Sequence, residues 1–228
     1  MQTAINKRRL FNACSLALVV TALTFAIRAN LMGPLGEEFG LTSKAIGEIA
    51  SAAFWGFTAA MFVGGFLCDV IGLGKMYLLA FIGHVAGIVL TIYASGYWSL
   101  FVSTLFVGLG NGFVESASYA MVSSMYTTNK TRKINAWHIW FPAGIVIGGV
   151  LAYLLTLLDF GWKIQMAVML PPTIVYGIMF LKQQFPKSER VSMGVSNREM
   201  IKECLRPLFI FMLFCMFLTA ATELGTNQ

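Results

Sequence analysis

The chain has 228 residues, 57% of them hydrophobic and 11% charged, with 19 Phe, 13 Met and a formal net charge of +6. This composition excludes an ordinary soluble domain, and the basic excess, confined to short loops between apolar runs, reflects membrane topology rather than nucleic-acid binding. Cys14, Cys68, Cys204 and Cys215 make neither a disulfide framework nor a metal spacing, and no span carries a nucleophile arrangement or paired catalytic carboxylates. Neither enzyme chemistry nor a cofactor is therefore expected.

A helix needs about 20 apolar residues to cross the hydrocarbon core, and long runs rather than short alternating segments predict an all-α membrane protein. The first span, Leu10 to Arg28, follows Lys7-Arg8-Arg9. That run is a topology anchor and no signal peptide, since the apolar run has no evident small-residue cleavage site and more spans follow. This span region brings Asn12, Ser15, Thr21, Thr24, Arg28 and Asn30. Arg28, near the outer end, either meets an anionic solute, snorkels to the headgroups or makes a structural pair.

The second span, Ile46 to Leu67, leads into a tight turn ending at Lys75, and the third, Met76 to Ala94, carries His84. A neutral His84 is expected to hydrogen-bond a neighbouring helix. The fourth runs from Phe101 to Met125 and the fifth from Trp137 to Leu158. His138 opens the fifth between Trp137 and Trp140, which are expected to anchor at the interface, with His138 a candidate for gating or proton release. The sixth is Gln165 to Leu181, and a seventh begins near Leu208. On the seventh, Thr219, Glu223 and Thr226 share a face, and Asn227 starts a second polar ledge.

The expected organisation is a six-helix transmembrane lobe over 1–181, an inter-lobe loop over 182–207, and the truncated start of a second lobe over 208–228. The run is still apolar when the chain stops at Gln228, which suggests a fragment lacking the rest of that second lobe. Of the 16 Lys and Arg, only Arg28, Lys44 and Lys163 fall on one side of the predicted bundle. The excess on the other side predicts a cytoplasmic N-terminus in a plasma or inner membrane.

The fourth span holds the most informative residue. Glu115 is a carboxylate in an apolar run, where charge is costly and marks a solute or proton site by default. At about 100° per residue, Thr104, Asn111, Glu115 and Ser118 fall within an arc of about 60°. That face is expected to line a polar cavity, with the Asn111 amide donating to Glu115 one turn away. The glycines of Gly108-Leu109-Gly110-Asn111-Gly112 sit inside a membrane helix, where they permit close packing; they are no nucleotide loop. Gly83 with Gly87, and Gly144 with Gly148, repeat that packing spacing.

Gly65-Phe66-Leu67-Cys68-Asp69-Val70-Ile71-Gly72, followed by Lys75, resembles the signature of the major facilitator superfamily. Gly65 is expected to permit close packing, Gly72 the turn, and Asp69 a pairing at the helix end. In that family the element stabilises one of the alternating states. Gly108 through Glu115, with Asn135-Ala136-Trp137-His138-Ile139-Trp140-Phe141-Pro142-Ala143-Gly144, looks like the fucose/glucose-galactose permease branch. The resemblance implies a 3+3 inverted-repeat lobe with Glu115 facing a central cavity in proton coupling and sugar recognition. Tyr119 stands one turn beyond Glu115, where that branch often has an asparagine.

The expected activity is proton-coupled symport of a sugar or similar small polar solute by alternating access, with Glu115, Asn111, Tyr119, Glu223, Asn227 and Arg28 as the binding set. The proton is then the coupling ion and the lipid bilayer the solvent. Two alternatives stand beside it: an organic-anion carrier with Arg28 as the anion's partner, and a non-transporting scaffold or inactive fragment.

Overall fold

The computed structural model describes residues 5–212, 214, 215 and 218, and every regular element among them is a helix. The chain divides into two units, 1–189 and 190–228. The first contains α1 (Lys7–Glu38), α2 (Ser43–Val70), α3 (Leu73–Ile92), α4 (Tyr97–Met125), α5 (Lys130–His138), α6 (Trp140–Leu157), α7 (Trp162–Ala167) and α8 (Leu170–Phe180). Taken as α1, α2, α3, α4, α5 with α6, and α7 with α8, they make six helices long and apolar enough to cross a membrane. Beyond them, α9 (Glu189–Met193) begins at the boundary of the second unit. That unit contains α10 (Asn197–Cys204) and is helical again over 207–212, where the seventh span was expected.

Local chemistry sets the helix ends. Asn6 and Thr42 cap α1 and α2 by accepting from the backbone N–H of Arg9 and Ala45. α1 runs ten residues past the expected end at Arg28, because loss of apolarity does not stop a helix; it stops next to Gly40, whose φ is +59°. The fifth and sixth spans are each broken in two, at positions proline dictates. Pro142 has no N–H for the carbonyl of His138, and Pro171 none for that of Ala167, and α5 and α7 end at those two residues. At α10 the Ser196 N–H donates to the Glu199 carboxylate while the Glu199 N–H donates to Ser196 Oγ, a reciprocal cap that draws the Glu199 carboxyl below its ordinary range.

α4 is the centre of the lobe, flanked by α2 and α3 and touching α1, while α1 packs on α6 and α8. The pairings map onto themselves when the first three spans are exchanged with the last three: α2 on α4 corresponds to α6 on α1, and α3 on α4 to α8 on α1. This is the relation an inverted repeat requires. Glycines seal these contacts. A Cβ on Gly108 would strike the Ala53 backbone and one on Gly112 the Phe57 carbonyl, while Gly83 lies against Gly110. In the other pairing Gly144 lies on Ala22 and Gly148 on Ala26. The packing reading of these glycines holds.

Gly65 is different. A Cβ there would meet nothing within 4 Å, whereas one on the preceding Gly64 would strike Ser116, so the close approach belongs to Gly64. The helix face turns by one residue from the one expected. Gly72 does make the turn, with φ +84°. Trp137 is also corrected: it is fully buried and donates its indole N–H to the Cys14 carbonyl at 3.2 Å, so it is a core residue and no interfacial anchor.

The end of the lobe that carries most of its cations is tied by them. Lys7 Nζ donates to the carbonyl of Met125 at 2.9 Å, and Arg9 to those of Met179 and Ile178 at 2.9 and 3.2 Å. Charged donors from α1 thereby meet the last carbonyls of α4 and α8, where the helix dipole favours cations.

Candidate functional site

The polar face of α4 resolves into separate contacts with different neighbours. Toward the end remote from Lys7, Arg28 on α1 is buried, 6% exposed, and its guanidinium donates to Thr91 on α3 at 3.3 Å and to Thr104 on α4. It does not snorkel. Its partners are neutral hydroxyls, and no carboxylate among the described residues pairs with it. A cavity of about 120 Å³ opens beside it, lined by Arg28, Thr24, Thr104, Asn111 and the apolar Phe25 and Phe54 among others. A buried charge costs several kcal/mol unless it is paired, and here the guanidinium is met by two hydroxyls and borders a cavity.

About two turns along α4 from Thr104, Asn111 joins a chain of hydrogen bonds across four helices. His84 Nδ1 lies 2.9 Å from the Tyr176 hydroxyl on α8, and its Nε2 2.8 Å from Asn111 Oδ1. The Asn111 amide donates to Thr24 Oγ1 at 3.0 Å, and Thr24 donates to the Thr21 carbonyl at 2.7 Å. The directions along the chain agree if His84 is the neutral Nε2–H tautomer, donating to Asn111 Oδ1, and Tyr176 donates to Nδ1. His84 is thus the interhelical bond its sequence context suggested. The expected Asn111–Glu115 bond is absent, because the amide points between α1 and α3 instead.

Glu115 pairs elsewhere. Its Oε1 lies 3.2 Å from His138 Nε2, with side-chain exposures of 14% and 52%. The pair joins α4 to the last residue of α5, the one whose carbonyl Pro142 leaves without a helical partner. Ser118, expected on the cavity face, is buried against Tyr77 at 2.8 Å between hydroxyls. Tyr119 is 54% exposed and lies apart from the cavity lining. In the signature turn, Asp69 accepts from Ser188, and Lys75 is exposed. Glu223 and Asn227 lie outside the described residues.

Sequence reasoning missed Tyr77, Thr91 and Tyr176, each of which supplies a hydroxyl to these contacts. A signal existed, since a tyrosine or threonine inside an apolar run must bond something there.

Six apolar helices in two interlocked triplets, with a buried arginine on α1 and a carboxylate–imidazole pair between α4 and α5, define a multi-pass membrane lobe. The profile of the Major Facilitator Superfamily matches residues 14–226, and the chain belongs to that superfamily. It is similar to the gentisate transporter of Corynebacterium glutamicum, 26% identical over 76% of this chain and 39% of that protein. It is also similar to the D-galactonate transporter of Escherichia coli, 23% identical over 85% of this chain and 45% of that protein. The chain thus spans less than half the length of either curated relative. In fold it matches the crystal structure of a D-xylose–proton symporter with a TM-score of 0.67 at 15% identity, over 90% of this chain and 55% of that one.

Proposed function

We propose that this lobe belongs to a proton-coupled carrier of a small organic anion, working by alternating access, with Arg28 holding the solute's carboxylate. The observation that carries this reading is the buried guanidinium beside a cavity with no carboxylate partner among the described residues. Thr24 and Asn111 offer neutral polar groups at the same cavity, which suits a hydroxylated acid. The names of two relatives, a gentisate and a D-galactonate transporter, point to the same class of solute. A neutral sugar fits the threonine and asparagine but leaves the charge unanswered.

Proton coupling is assigned to Glu115 with His138. The pair can hold and pass a proton between a helix that lines the cavity and the broken fifth span. One proton carried with one monocarboxylate makes an electroneutral step, so the pH gradient drives it: each pH unit supplies about 1.4 kcal/mol, which matches one tenfold of accumulation. Closure around the solute requires a second six-helix lobe facing Arg28, and the cation-rich end is assigned to the cytoplasm.

Substrate competition tests the reading. In proteoliposomes, monocarboxylates and sugar acids should inhibit uptake while the matching neutral sugars do not. Preference for the neutral sugar, retained in Arg28→Gln, would replace the anion with a sugar.

A further inference from the structure

The outer face of the lobe, at its cation-rich end, carries a groove of about 500 Å³ between α3 and α8 that solute transport does not use. Its floor is aromatic. Tyr77 and Phe180 stack with centroids 3.9 Å apart, and Phe185 lies 5.9 Å from each. Its walls are apolar and open to the surroundings: Leu78, Ile174, Ile178 and Leu181 are 56, 47, 55 and 61% exposed.

Two lysines stand at the mouth. Lys75 opens α3 and Lys182 follows α8; both are exposed, both line the groove, and neither side chain makes a hydrogen bond or ion pair among the described residues. Lys182 has φ +56°, a left-handed conformation that costs a non-glycine residue about 1 kcal/mol or more. Beyond that residue the Phe185 ring lies where a Cβ on Gly74 would touch it at 3.0 Å, and Lys182 lines the same groove as Lys75. From Lys75 to Phe81 the groove descends along α3 by about 9 Å at about 1.5 Å per residue. It therefore runs from the headgroup level, where the lysines are, into the hydrocarbon.

We propose that this groove binds one anionic glycerophospholipid, its acyl chain on Tyr77, Phe81 and Phe180 and its phosphate between Lys75 and Lys182. The charge is complementary at the mouth, and the depth and apolarity below it match a chain and no polar solute. An extended peptide does not fit, since its backbone would lie unpaired in lipid. Basic pockets between membrane helices on the cytoplasmic side hold such headgroups for these reasons.

Native mass spectrometry of the protein in mild detergent, incubated with phosphatidylglycerol or phosphatidylcholine, tests it. One phosphatidylglycerol should be retained per chain, in preference to phosphatidylcholine. The double variant K75Q/K182Q should weaken that retention by about fivefold per lysine, while K44Q/K163Q, at the opposite end, leaves it unchanged. Leu78→Trp, which fills the groove and keeps both lysines, should also lower it. Equal retention by K75Q/K182Q, equal binding of phosphatidylcholine, or a lipid-free homodimer through this face would overturn the proposal.

Discussion

Arg28 shows what a single residue can decide. Its planar fork reaches Thr91 and Thr104 on two helices and still borders the cavity, a geometry a lysine's point charge cannot reproduce. Charge-assisted bonds contribute about 1.5–3 kcal/mol, so Arg28→Gln should weaken carboxylate binding by about 10- to 100-fold, and Arg28→Lys should recover only part of that, read by binding calorimetry. Asn111 has a different role. Replacing it by leucine strands His84 Nε2–H and removes the donor to Thr24 Oγ1, and should destabilise the lobe by about 1–3 kcal/mol in a thermal-shift assay. Glu115, Asn111 and Arg28 are all legible in the sequence, because a polar group in an apolar run announces itself. Their partners are not. Helical angles place Asn111 and Glu115 on one face of α4, but only the neighbouring helices decide that one turns to His84 and the other to His138.

At the scale of the helices, glycine and proline carry the most readable information. The glycine spacing predicts close packing, and α4 is indeed pressed into α2 at Gly108 and Gly112. Gly108→Val should force α2 away and cost about 1–3 kcal/mol through overpacking. Gly65→Ala and Gly149→Ala meet open space, and should be neutral or stabilising by up to about 1 kcal/mol. A comparison of melting temperatures in detergent separates the two groups. Pro142 and the Pro171-Pro172 pair end α5 and α7 one turn upstream, which hydropathy alone does not reveal. The break after His138 matters because it sets where that ring stands relative to Glu115. Pro142→Ala should extend α5 into α6 and reduce proton-driven uptake with little loss of solute exchange, measured in the same proteoliposomes.

For the whole molecule, composition and span length suffice to read an all-helical membrane lobe, and the signature turn suffices to read its superfamily. Chemical specificity is harder to see, since it depends on which polar groups the fold leaves without partners. The same hydroxyls and amides in the sequence fit a sugar or an acid; a buried guanidinium with no carboxylate partner among the described residues favours the acid. In the proposed mechanism coupling links that site to the Glu115–His138 pair, and it is the part of the proposal most open to direct test. The most direct measurement compares Glu115→Gln with the parent protein in proteoliposomes, under an imposed proton gradient and in counterflow without one. Lost uphill uptake with retained exchange is the predicted result; uphill uptake unchanged from the parent would contradict it.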